Sequence, residues 1–217
     1  MTTKIPRWIA IHEAGHAVAH WHVAKELFGP NGWCGFERVF VRTPEEAASG
    51  PYIDDRGREN YCSGMIEGPA FYNAIAALTG ERGLMLDLGM PPEANEAECA
   101  RIRAQLPKSM EAEVISRLAG PIAEAKYRRI SFVLATIFGG ESDWKIASAC
   151  AWDFCRTEDQ HGQLLEKLRR RASSIIRQNW AAVNAVADTL LLRHSLTGEE
   201  ATAIIKSHTK PVLQMAA

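Results

Sequence analysis

From Pro6 to Leu27 the apolar residues Trp8, Ile9, Ile11, Ala14, Val18 and Trp21 recur at spacings of three and four, the signature of a helix that buries a face. Pro6 is tolerated in a first helical turn, and no further proline appears before Gly29-Pro30, where the helix is expected to stop. The run Phe36 to Val41 then alternates with β-rich composition, Pro44 to Gly50 reads as a loop, and Pro51-Tyr52-Ile53 follows, so a small hairpin is predicted. Asp54 to Gly64 reads as a loop and Ala70 to Leu78 as a short helix, and Pro91-Pro92 breaks the next section. Helix is predicted over Glu93 to Leu106 and Met110 to Tyr127, with a kink at Gly120-Pro121. Further helices are expected from Ser142 to about Cys155, with Ser142 as the cap, from about Gln160 to Gln178, and from Trp180 to Leu192. The last, Thr197 to Lys206, opens with a T-x-x-E capping box, Thr197 with Glu200. With no repeat, low-complexity tract or linker in view, residues 1–217 are expected to form a single domain, mainly α, with a small β-hairpin or sheet after the first helix.

The first helix carries polar residues that its apolar pattern does not explain. His12-Glu13-Ala14-Gly15-His16 is an H-E-x-x-H run. Side chains at i and i+4 lie one above the other on a helix, so two imidazoles can bind one Zn²⁺ while Glu13 reaches a metal-bound water. Two histidines and a glutamate in a buried stretch are costly to desolvate without partners, and one metal ion satisfies both imidazoles.

A catalytic zinc takes a third protein ligand and a water. His20 continues the row, but eight residues of helix set it about 12 Å from His12, too far to share one ion. His22 falls at the last histidine of H-E-x-x-H-x-x-G-x-x-H, yet Ala19 stands where that pattern has its glycine. A helix that continues through Ala19 turns His22 about 240° away from His16. Two acidic residues downstream can each supply a carboxylate: Glu124, in Leu118 to Ala125, and Asp143, in Gly139 to Ala147. Spacing alone does not choose between them, and Asp143 can equally serve the helix dipole in a first turn.

Taken together these segments resemble a known family. Arg7 to Val18 resembles the start of the peptidase domain of the FtsH-type AAA proteases, with its H-E-A-G-H-A motif. Ala119 to Ala125 is similar to that family's G-G-R-x-A-E-E segment, and Gly139 to Ala147 to its G-A-S-N-D-L-x-x-A segment. Asp188 to Leu192, followed by Ser195 to Glu200, is similar to its C-terminal helix pair. The resemblance implies a zincin-like helical peptidase domain in which His12, His16 and Asp143 bind zinc and Glu13 is the general base. It casts Glu124 as a neighbour that supports a ligand. The chain departs from the family at Pro121, in place of an arginine, at Ala125, in place of the second glutamate, and at Trp144, in place of a leucine. It also lacks the family's transmembrane helices and ATPase module, so an ATP-independent enzyme is expected. Because the family's hexamers form largely through that module, the resemblance leaves the oligomeric state open.

Composition adds bounds. A content of 47% hydrophobic and 24% charged residues is that of an ordinary globular protein with a substantial core. A net charge of −1 gives no general attraction to nucleic acid or an anionic membrane, and neither is expected as a partner. The basic run Lys167, Arg169, Arg170, Arg171 reads as the solvated face of a long helix. No stretch is long and apolar enough to span a bilayer, and His12 and Glu13 interrupt the N-terminal apolar run before it can act as a signal peptide, so a cytoplasmic protein is expected. The five cysteines, Cys34, Cys62, Cys99, Cys150 and Cys155, show no C-x-x-C spacing and are expected as buried free thiols.

The function expected from these readings is that of a zinc metalloendopeptidase acting on unfolded proteins or peptides, with the Phe36 to Ile53 segment either the strand on which an extended substrate rests or a surface hairpin that only covers the core. The competing expectation is a zinc-binding regulatory or structural protein that keeps the fold with little hydrolysis.

Overall fold

A computed structural model describes residues 4–29, 35–54, 57, 59–68, 70–71 and 96–209; side chains 96–99 and 101–103 are excluded from the description. Its elements in chain order are α1 (Arg7–Phe28), β1 (Arg38–Val41), α2 (Pro44–Ala48), β2 (Tyr52–Ile53), β3 (Glu59–Asn60), β4 (Gly64–Glu67), α3 (Glu96–Arg128), α4 (Phe132–Phe138), α5 (Glu141–Trp152), α6 (Glu158–Gln178), α7 (Trp180–Arg193), β5 (Ser195–Thr197) and α8 (Gly198–His208). The described part of the chain is mainly helical, with a small antiparallel sheet.

α1 is the central helix. It is buried almost all round from Ile9 to Trp21 and packs chiefly against α3 and α7. Small residues make the α1–α3 approach close: a β-carbon on Gly15 would stand 2.6 Å from the Ala123 Cβ and 2.8 Å from the Ala119 carbonyl oxygen. α6 covers the outside, burying Leu165, Leu168, Ala172, Ile175 and Ile176 along one stripe. Its basic run is paired within the chain. Lys167 and Arg171 meet Glu111, Arg171 also meets Glu26, and Arg169 and Arg170 meet Glu166.

The longer helical spans follow the sequence pattern, with differences at α3, α4 and α5. α3 runs through both Pro107 and Pro121 as one helix, joining what reads in the sequence as two segments. α4, capped by Ser131, is an added element. α5 begins one residue earlier than expected and its N-cap is Gly140, which makes no side-chain cap; Ser142 lies inside the first turn. The expected helix over Ala70 to Leu78 and the break at Pro91-Pro92 fall largely outside the described residues.

The predicted hairpin is corrected. β1 is the middle strand of a three-stranded sheet in the order β4-β1-β5, with Val39 opposite Ile66 on one side and Leu196 on the other. Tyr52–Ile53 pairs instead with Glu59–Asn60. Val39, Phe40 and Val41 are all buried, so both polar edges of β1 need ladder partners, which β4 and β5 supply from distant parts of the chain. Pro44–Ala48, expected as loop, is a short helix held by a Thr43–Glu46 capping box. His194, in the left-handed region at φ 64°, ends α7 and turns the chain into β5, and its carbonyl accepts the Val41 N–H.

Of the cysteines, Cys150 is buried and outside any disulfide as expected, whereas Cys62 and Cys155, also outside disulfides, are only half-buried. Cys34 and the Cys99 side chain lie outside the description. Among the described residues no helix is long and apolar enough to cross a membrane.

Candidate metal centre

α1 presents His12, Glu13 and His16 on consecutive turns toward a cleft of about 510 Å³. The opposite wall is the first turn of α5, which brings Asp143 to the two imidazoles. His12 Nε2 lies 3.2 Å and His16 Nε2 3.3 Å from the same oxygen, Asp143 Oδ2. All three residues are buried, and their ligand atoms lie within 4.8 Å of one another. They form a buried group able to hold a metal ion.

The outward nitrogens are already committed. His16 Nδ1 donates to the Ser116 carbonyl at 2.7 Å, and His12 Nδ1 lies 3.0 Å from Glu124 Oε2. A carbonyl only accepts, so a neutral His16 carries its proton on Nδ1 and turns a lone pair on Nε2 toward the Asp143 carboxylate. His12 is held the same way between two carboxylates. Lone pairs facing lone pairs at 3.2 to 3.3 Å need a cation between them, either extra protons on the rings or a metal. Two imidazole nitrogens and one carboxylate oxygen are the donor set of a zinc site, so the residues fit that ion.

The electrostatics follow from this crowding. Burial opposes protonation of His12, but the Asp143 and Glu124 carboxylates outweigh it and raise its pKa to about 10 in the metal-free protein. Burial would likewise raise the Asp143 carboxyl, yet His16 and His12 hold it well below the usual carboxylate range. Glu124 is wholly buried on α3. Desolvation is outweighed there by His12 and Arg128, and its pKa is lowered. Glu13 behaves oppositely: burial raises its pKa, and the nearby His12 and His16 only partly offset this.

Two glycines make room for these groups. A β-carbon on Gly120 of α3 would stand 2.3 Å from His16 Nε2, and one on Gly64 at the start of β4 would stand 2.6 Å from Glu13 Cγ. The Glu13 side chain therefore lies against the first residue of β4, and β4 lines the cleft through Gly64, Met65 and Ile66.

The weighed alternatives lie elsewhere. His20 is buried farther along α1, with Nδ1 3.0 Å from Ser116 Oγ and its ring against Phe71, and burial lowers its pKa to about 4. His22 is partly exposed and faces Glu26. Glu124 and Asp143, which spacing left undecided, both reach His12, one at each nitrogen.

Sequence reading missed the groups that flank the triad. Arg117 lines the cleft with Nη1 3.7 Å from Asp143 Oδ1, and its Nε donates to Glu113 at 2.8 Å. The i, i+4 pairing of Glu113 with Arg117 is visible in the sequence, but an exposed helix face shows the same signal. Ser116 contributes a backbone carbonyl, which no sequence pattern marks.

Comparison with protein-family models and with curated proteins finds no match for this chain.

Proposed function

We propose that this chain is a zinc-dependent metallopeptidase, an ATP-independent endopeptidase of unfolded polypeptides or peptides. The observation that carries the proposal is the convergence of His12 Nε2, His16 Nε2 and Asp143 Oδ2, with Glu13 lining the same cleft. The likeness of the four sequence segments to the FtsH-type peptidase domain supports it.

His12, His16 and Asp143 would hold the zinc, with Glu124 and the Ser116 carbonyl fixing the two rings so that each offers Nε2. When bound, zinc supplies a Lewis acid for the scissile carbonyl and lowers the pKa of a bound water. Glu13 takes a proton from the attacking water and passes it to the leaving amine. Burial raises its pKa, which makes it a stronger proton acceptor than an ordinary carboxylate.

The substrate rests on β4 rather than on the hairpin expected from the sequence. β1 is paired on both sides, whereas β4 pairs with β1 alone among the described residues and lies along the cleft. An extended peptide can add to that edge as a further strand, its scissile bond near Glu13.

The test is cleavage of unfolded casein by zinc-loaded protein and by Glu13→Gln. Chelator-sensitive cleavage that is lost in Glu13→Gln, with zinc still bound, is expected. Zinc binding without cleavage in the wild type would instead favour a regulatory or structural zinc protein.

A further inference from the structure

Asp143 has two carboxylate oxygens, and the structure gives them different neighbours. Oδ2 faces both imidazoles, while Oδ1 faces the guanidinium of Arg117 at 3.7 Å. Arg117 is itself held. Its Nε donates to Glu113 Oε1, and Glu113, 2% exposed, accepts the Phe71 backbone N–H on its other oxygen at 2.9 Å. A relay thus runs from the Phe71 amide through buried Glu113 and half-buried Arg117 to Asp143.

We infer that Arg117 is a positioning residue for the metal centre, acting through Asp143. A lone carboxylate near a cation can turn to offer either oxygen or both, since rotation about its last bond is nearly free. The guanidinium attracts Oδ1 and leaves Oδ2 as the oxygen offered to the metal. Glu113 supplies the fixed end, because a guanidinium bonded through Nε keeps its plane and aims its remaining nitrogens in set directions. This inference rests on the reading of His12, His16 and Asp143 as metal ligands.

The experiment measures Zn²⁺ affinity by competition with a chromophoric chelator, and the visible spectrum of the Co²⁺-substituted protein, in wild type, Arg117→Lys, Arg117→Met and the double variant Arg117→Met/Glu113→Gln. The double variant removes both members of the pair, so a failure of Arg117→Met to fold does not decide the result. Loss of Zn²⁺ affinity by about tenfold or more is expected in both methionine-containing variants, in the range found for removal of groups that orient a ligand. The Co²⁺ bands should shift with it, and Arg117→Lys, which keeps the charge but not the planar fork, should recover only part of the affinity. A folded double variant with wild-type affinity and spectrum would overturn the positioning role. Absence of metal binding by the wild type would overturn the metal centre itself, and the positioning role with it.

Discussion

The α-carbon of Gly120 faces the His16 ring so closely that a β-carbon there would stand 2.3 Å from Nε2, the nitrogen turned toward Asp143. No real contact is that short, so any side chain at 120 must displace the ring. Gly120→Ala is expected to fold but to lose zinc affinity by about tenfold or more, as when a ligand is misoriented. Chelator competition measures this, and unchanged affinity would show that His16 can shift without consequence.

Gly15 does a related job in the core. It lets α1 approach the Ala119–Ala123 stretch of α3, and a methyl there would overlap both a side chain and a carbonyl. Gly15→Ala should destabilise the fold by about 1–3 kcal/mol, the usual cost of overpacking a filled core. Thermal unfolding reads it; a stability at or above wild type would contradict the packing described.

Glu124 bonds His12 Nδ1 and Arg128 from a fully buried position. Glu124→Gln can still fill the space but no longer supplies an anion to the ring. Zinc affinity should fall by about 10- to 100-fold while the helical circular dichroism stays unchanged. Equal affinity in the variant would remove Glu124 from the support of His12.

The metal-free protein should depend on pH in a particular way. His12 is raised from 6.5 to about 10 in the fold, so its contribution to stability is complete below about pH 6.5 and is lost as pH rises through about 10. Asp143 is lowered, so its contribution is present above the ordinary aspartate pKa and is lost on acidification. The melting temperature of metal-free protein is expected to fall between pH 7 and pH 10. Zinc binding at pH 7 should release protons, because the ion takes the place of the His12 Nε2 proton. Calorimetry in buffers of different ionisation enthalpy measures that release, and its absence would contradict a protonated His12.

How far the sequence reached is clearest residue by residue. His12, Glu13 and His16 were legible because they lie within one helix, where spacing alone fixes relative direction. The Thr197–Glu200 cap was legible for the same reason, and the Thr43–Glu46 box, built on the same pattern, goes unread when Pro44 is taken as a loop signal. Spacing did not choose the third partner, which the resemblance alone named as Asp143, because Asp143 and Glu124 come from other helices and only their packing decides which nitrogen of His12 each meets. The partners of β1 were hidden likewise: Gly64–Glu67 and Ser195–Thr197 are short and have little strand pattern of their own, whereas Tyr52–Ile53 lies nearer in sequence. Gly120 and Gly64 stood in the sequence as ordinary glycines. Their importance is a clearance against His16 and Glu13, a property of two elements meeting.

Zinc content of purified wild type beside Asp143→Ala is the most direct measurement of the metal centre. About one zinc per chain in the wild type, falling to a small fraction in the variant, is the predicted result, since a three-ligand site loses a ligand. No zinc in the wild type, or full occupancy without Asp143, would contradict a centre built from His12, His16 and Asp143.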